Sequence, residues 1–386
     1  MALHYIVTSL LGVVAFVWVF YAIDLAIGVP SMPRLRNFAP LPDEQCPRVS
    51  ILFAARDEAE KLPGALQTFL SQDYPRYEVI AVDDRSADDT GKILENAARQ
   101  HSQLKVVHVN SLPAGWLGKP HALQQAFEGS NSEWLAFTDA DVHFAPDLLR
   151  RTIALAESKG WGHLTLLARV DMTTVGEKIV LTFFNLAFTM AIRPWRISNP
   201  KSSTYFGVGA FQLIRRSAYE KMGTHRRLAM EVVDDVKLGK LAKMAGIRSG
   251  AAISGDAVTV EWHSGVGNII RGTTKNFFAA AGFRPWLACL QIFNTLLVFV
   301  FPFAVLPFVR GWALLFAGIA AGLAVVAHAG AAIENDVSPL YGFTHPVGAL
   351  ILVLMLARST FVTLRQGGII WRGTFYPIEE LKRGAV

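Results

Sequence analysis

Cysteine is almost absent: Cys46 and Cys289 are the only 2 in 386 residues. One precedes the polar middle of the chain and the other lies in an apolar stretch. Neither a disulfide framework nor a cysteine zinc site is implied, and a reducing compartment fits. Charge is also scarce, at 18% of residues. No basic run interleaved with aromatics is present, which argues against nucleic acid as a partner. Lys and Arg (37) still exceed Asp and Glu (31), for a net charge of +6, an excess that suits a membrane surface or an anionic substrate. No lysine or arginine precedes Arg34, so the first apolar run lacks the basic start of a cleaved signal peptide.

Apolar residues are plentiful, 52% of the chain, with a mean hydropathy of +0.33. The excess lies at the two ends. Residues 5–23 carry no charge and are long enough to span a bilayer. We read residues 1–29 as a retained anchor, with a cleaved leader as the alternative. Arg34, Arg36 and Arg48 beyond it place the globular part of the chain on the cytoplasmic side of an inner or plasma membrane of bacterial type. Residues 30–46 form a Pro-rich linker. Residues 47–285 hold most of the charge and are long enough for a core of their own.

That middle region opens with VSILFAARDEAEKL and EVIAVDDRSADDT. Val49–Ala54 reads as a strand, Ala59–Ser71 as an amphipathic helix and Glu78–Val82 as a second strand, with another helix starting near Asp88. The β-α-β-α order predicts an α/β fold: a mostly parallel sheet with right-handed crossovers, flanked by helices. Such sheets bind ligands at the carboxyl ends of their strands. Arg56-Asp57-Glu58, Asp83-Asp84 and Thr138-Asp139-Ala140-Asp141 all stand at such ends. Along a strand, Asp139 and Asp141 share a face about 7 Å apart. Two carboxylates so placed suit a hard divalent ion, Mg²⁺ or Mn²⁺, that keeps positions open for phosphate oxygens. Two solvated turn aspartates are the simpler alternative. Gly118-Lys119 enters a helix, where an ammonium beside backbone N–H groups suits phosphate, although a solvated lysine satisfies the pattern equally.

With WLAFTDADV added, these motifs resemble family 2 glycosyltransferases of the GT-A fold, over roughly residues 47–285. The resemblance implies an inverting hexosyltransferase that takes a nucleotide-sugar, a UDP-sugar first among them, to a membrane lipid hydroxyl. It implies donor contacts by Ala55, Asp57, Asp84, Lys119, Asp139 and Gly209, with metal and diphosphate on Asp139 and Asp141. An acidic pair of the family maps to Asp234 and Asp235. Its second member is the general base, and Asp stands first here where Glu is commoner, so the assignment stays open by one position. Helix capping is the structural alternative for both. No QxxRW sequence of processive members occurs. Arg271 and Lys275 stand instead, spaced to share one helix face, as in carotenoid- and lipid-glycosylating members. Trp371 and Arg372 belong to a WRGxxY stretch that resembles the tail of such relatives. An aromatic-basic interface belt is its plain alternative. A polyprenyl-phosphate sugar transferase, a polysaccharide synthase and a scaffold with a degenerate donor domain are the rival readings.

Residues 178–195 are apolar nearly all round. A full crossing there would carry Asp235 away from Asp139, so a helix lying along the interface is expected. Three apolar segments follow within 286–364. The stretch 334–346 has no Lys or Arg, whereas the tail 365–386 is basic. Both charges fall on the favoured sides if 286–309 enters and returns, so a re-entrant or interfacial hairpin is expected there, with Pro302 and Pro307 allowing the bend and the tail cytoplasmic.

Overall fold

The computed structural model describes residues 2–262, 264–384 and 386. They divide into two compact units that interleave in sequence. One comprises residues 1–31, 170–193 and 262–378, the other residues 32–169, 194–261 and 379–386.

The second unit is built on a sheet with the strand order β3-β2-β1-β4-β7-β6-β8-β5. Its strands are β1 (Val49–Ala55), β2 (Tyr77–Asp84), β3 (Leu104–Val109), β4 (Trp134–Asp139), β5 (Val142–Phe144), β6 (His163–Val170), β7 (Gln212–Arg215) and β8 (Ser249–Val260). The first four pair in parallel, as the β-α-β-α reading predicts, while β7 runs antiparallel to β4 and β6. Strands β7 and β8 are not expected from sequence, since no clear alternation marks them. The chain runs β1 to β3 in one direction and then returns to place β4 on the other side of β1. The strand order therefore switches between β1 and β4, where open α/β sheets form ligand crevices.

Strands covered on both faces read as continuous apolar runs, and their alternation decides what each face meets. Ile51, Phe53, Val79, Ala81 and Ala136 pack into one core with Leu62 and Phe69 of α2 (Leu62–Leu70), Leu94 of α3 (Thr90–Gln100) and Ile153 of α5 (Leu148–Lys159). Leu52, Ile80, Val82, Leu135 and Phe137 pack into a second core. That core contains Ala122 and Leu123 of α4 (Gly118–Glu128), Tyr219 of α7 (Arg216–Met222), and Leu238 and Leu241 of α8 (Asp234–Met244). Counting by twos from Val82 and Phe137, Asp84 and Asp139 fall on the α4/α8 face, whereas Asp83 faces the other way, toward His108.

The first unit is helical: α1 (Ala2–Ser31), α6 (Val175–Ile192), α9 (Val266–Gly272), α10 (Asn276–Ala280), α11 (Pro285–Thr295), α12 (Phe301–Val305), α13 (Trp312–Glu334) and α14 (His345–Gln366). A two-stranded hairpin of β9 (Gly368–Trp371) and β10 (Thr374–Pro377) follows, and α15 (Ile378–Arg383) leads back to the sheet unit. Thr174 and Glu177 form a reciprocal capping box at the start of α6, which satisfies two of the orphan N–H groups at a helix start. Arg193, at its other end, forks onto Asp24 of α1. Trp18 of α1 donates to the Val298 carbonyl, inside a π turn over Leu296–Val300.

Among the described residues, five stretches are long and apolar enough to cross a membrane: His4–Ser31, Val175–Arg196, Pro285–Val305, Trp312–Glu334 and Pro339–Gln366. The re-entrant bend expected at Pro302 is not formed. Helical backbone runs from Pro285 through the π turn to Val305, with Pro302 in the first turn of α12, where its missing N–H does no harm. Connectivity adds a constraint of its own. Residues 170–193 leave the sheet unit and return to it, and so do residues 262–378. A compact unit stays on one side of a bilayer, so each excursion makes an even number of crossings. The stretch Val175–Arg196 is not a lone crossing, and at most two of the last three stretches cross.

Candidate active site

The carboxyl ends of β1, β2 and β4 gather the acidic residues. Asp139, the last residue of β4, directs Oδ1 to the Lys119 ammonium at 2.6 Å. A Cβ on Gly209 would stand 2.4 Å from its Oδ2, so any larger residue there would force that carboxylate to shift. Gly209 also donates its amide N–H to Asp235 Oδ2 at 2.9 Å, and Asp235 Oδ1 accepts from the Val236 amide at 2.8 Å. Asp234 and Asp235 are the first two residues of α8. The cap position is Val233, so neither aspartate serves as the helix cap considered from sequence. Asp235 is tied to the backbone beside Asp139, whereas the Asp234 side chain is buried.

Electrostatics follow from this crowding. Burial opposes the charge on Lys119, but Asp139, Asp234 and Asp235 outweigh it and hold the ammonium protonated well above its ordinary range. Burial pushes Asp235 up from the usual carboxylate range and Asp139 adds to the effect, while Lys119 opposes it. Asp141 is pushed up to about 6, first by burial and then by Asp139 and Glu58, with Lys61 opposing. Carboxylates pushed up by burial and by neighbouring negative charge, as Asp141 and Asp235 are, attract a cation.

Asp84 closes the other end of the row. Its side chain is buried and held by a two-pronged contact from Arg85, at 2.8 and 3.1 Å. Arg56 lies 4.0 Å away. A Cβ on Gly118 would stand 2.2 Å from Asp84 Oδ2, so the mouth of α4 presses against this carboxylate and carries Lys119 one residue further toward Asp139. Asp88 accepts from the Thr90 and Ala59 amides, structural work at the start of a helix and its neighbouring loop. Asp57 Oδ1 accepts from Ala87 with a left-handed backbone, φ 53°, and stitches the loop after β1 to the loop after β2. Ala55 is the final residue of β1, paired with Asp83. Arg85 is not singled out by the sequence. Its only signal is adjacency to an acidic motif.

The remaining sequence candidates lie in the helical unit. The shared helix face for Arg271 and Lys275 is not formed, because α9 ends at Gly272 and Thr273–Lys275 is 3₁₀. Arg271 instead reaches Asn268. Lys275 sits over the Trp371 ring, 3.6 Å from its centroid, a cation–π contact. Arg372 and Gly373 take φ of 48° and 76° in the turn between β9 and β10, the left-handed pair that a two-residue hairpin needs.

Comparison with known proteins gives a match to one family over part of the chain. Residues 50–223 match the model of glycosyl transferase family 2. A beta-monoglucosyldiacylglycerol synthase of Synechocystis sp. is 32% identical over 163 residues, 39% of this chain and 34% of that protein. A 4,4'-diaponeurosporenoate glycosyltransferase of Staphylococcus aureus is 23% identical over 192 residues, half of each chain. The chain thus matches between a third and a half of these curated relatives. Among solved structures, the mannosyltransferase PcManGT from Pyrobaculum calidifontis, in complex with GDP-Man and Mn²⁺, superposes with a TM-score of 0.53 at 20% identity. The alignment covers 91% of this chain and 99% of that one. The GT-A-like sheet is common to both.

Proposed function

From the family 2 glycosyltransferase domain that this chain carries, we propose that it moves a sugar, with inversion, from a nucleotide-sugar to the hydroxyl of a membrane lipid at the cytoplasmic leaflet. A UDP-sugar is the proposed donor. The observation that carries this reading is Asp139 and Asp235 held on either side of Gly209, a strand-end carboxylate beside one in the first turn of α8. The relatives named for a glucosyldiacylglycerol and a carotenoid acid support a lipid acceptor, as do the five apolar stretches.

Asp235 takes the proton of the acceptor hydroxyl as that oxygen forms its bond to the anomeric carbon. The nucleotide leaves from the opposite face, so configuration inverts without a covalent enzyme intermediate. Burial raises the affinity of Asp235 for that proton, and its two backbone N–H contacts fix its direction. Asp139 and Asp141 are oxygen donors at a strand end, and burial with the neighbouring Asp139 and Glu58 pushes Asp141 up, so the pair fits Mg²⁺ or Mn²⁺. Among the described residues no three His, Cys, Asp or Glu side chains converge as a metal cage. Asp139 and Asp141 would hold the ion, and water and diphosphate oxygens would be needed to complete its shell. When bound, it supplies charge against the departing diphosphate. Lys119 lies close enough to share that work, and Asp84 at the end of β2 faces the nucleoside end. Arg271, Lys275, Trp371 and Arg372 are proposed donor contacts from the helical unit.

We place α6 and one of the last three apolar stretches along the membrane surface, because both excursions return to the sheet unit. The basic tail then lies inside. Leu11 packs with Ala313 and Ala317, and Trp18 with Ala320 and Ala324, so α13 runs parallel to α1. The stretch 334–346 therefore falls on the side of the C-terminal end of α1, with Asn335 bound to Asn185 of α6; the outside placement expected from its charge is not formed. The test is incubation of the purified full-length protein with a panel of nucleotide-sugars and host lipid extract. Mass spectrometry should reveal one new glycolipid. If every donor stays intact, or sugar passes only to water, the reading fails.

A further inference from the structure

One oxygen of Asp139 is bonded and the other is crowded. Oδ2 faces the backbone of Gly209, with no room for even a methyl group between them. Oδ1 is held by the Lys119 ammonium at 2.6 Å. Lys119 is itself surrounded by Asp139, Asp234 and Asp235 and sits at the mouth of α4, only a quarter exposed. A divalent ion binding Asp139 at about 2.1 Å would therefore meet another cation on the same oxygen. Two unscreened positive charges a few ångströms apart repel strongly in such a site.

We infer that Lys119 and the divalent ion compete for Asp139, so that the ammonium is a resident counter-ion which yields the carboxylate when nucleotide diphosphate arrives. This rests on the donor-site reading above and adds an order of binding to it. The metal alone binds weakly because it must displace Lys119. A diphosphate offers the displaced ammonium new oxygen partners, so metal and nucleotide bind cooperatively. Lys119 is thus a gate on metal occupancy as well as a phosphate contact, and it keeps Asp139 and Asp235 from repelling one another before the donor is in place.

The experiment measures free Mn²⁺ by electron paramagnetic resonance with full-length protein in detergent, with and without UDP. Without UDP, Lys119→Gln should bind Mn²⁺ about tenfold more tightly than the wild type, and Lys119→Arg, which keeps the charge, should stay within about twofold. With UDP, the wild type should gain Mn²⁺ affinity and Lys119→Gln should gain little. Lys119→Met carries the same expectations should glutamine unsettle the fold, which thermal midpoints without metal will report. Equal or weaker Mn²⁺ binding by the neutral variants would overturn the inference, as would tightening by Lys119→Arg. Asp139→Asn separates the two levels. If it binds Mn²⁺ with UDP as well as the wild type does, the metal-site reading itself is wrong, whereas loss of binding there with no gain in Lys119→Gln rejects competition alone.

Discussion

Asp139 and Asp235 meet across a single glycine: the Gly209 amide is bound to one carboxylate at 2.9 Å, and its Cα hydrogen occupies the space against the other. Residues almost a hundred positions apart are thereby set side by side, one at the end of β4 and one at the start of α8.

The base is the first point of test. Asp235→Asn keeps the shape and removes the proton acceptor, so turnover on a lipid hydroxyl should fall about 10²- to 10⁴-fold, with nucleotide affinity nearly unchanged by calorimetry. Asp234→Asn should be the milder change. A small effect of Asp235→Asn would instead favour a phosphate acceptor, which needs less of a base.

Gly209→Ala places a methyl group within 2.4 Å of Asp139 Oδ2, well inside van der Waals contact. The carboxylate must rotate away, and with it one ligand of the proposed ion. Mn²⁺-dependent UDP binding should weaken about tenfold or more, in the range seen when groups that orient a metal site are disturbed. A neutral outcome in a titration would show that Asp139 is not a ligand.

Acid should destabilise the sheet unit through its buried histidines. Burial, assisted by Lys119, lowers His225 to about 3, and burial lowers His163 to about 4. Above pH about 6.5 both are neutral whether folded or unfolded, and they add no pH dependence. Below that value the unfolded chain takes up protons that the folded chain refuses. Stability therefore falls as pH drops from about 6.5 toward 4, by up to about 1.4 kcal/mol per pH unit for each histidine. His225→Asn should remove roughly half of this histidine-linked slope in thermal melts at pH 7.5, 6.5 and 5.5; an unchanged slope would show that His225 is protonated in the folded state.

Membrane topology can be read by cysteine labelling in a background lacking Cys289. A cysteine at Gly311, before the end of α13 that packs beside Leu11 of α1, should react with an impermeant maleimide in intact spheroplasts. Cysteines at Ser71 and Lys382 should react only after permeabilisation, since residues 32–169 and 379–386 belong to one unit. Labelling of Lys382→Cys in intact cells would contradict the even number of crossings.

Much of the sheet half was legible because its signals are local. Alternation along β2 and β4 picks out Asp84 over Asp83 and aligns it with Asp139 on one face. The helices after β1, β2 and β4 follow from their amphipathic patterns. Later strands are harder to read, because β7 is four residues long and β8 carries small and polar residues without a clean period. The helix expected to present Arg271 and Lys275 together also failed. Spacing alone does not register the break at Gly272, and Lys275 is drawn to Trp371, almost a hundred residues further on.

By itself, then, the sequence determined the parallel core, the family motifs, the strand-end acids and the apolar stretches, since these depend on side-chain period and on length. Tertiary structure alone decided that α4 and α8 cover the same face of β4. That packing brings Lys119, Asp139 and Asp235 within reach of one another, and burial and mutual charge then set what each can bind. It also decided that the chain returns twice to the sheet unit, because crossing parity belongs to the closed path of the backbone, which no local pattern records.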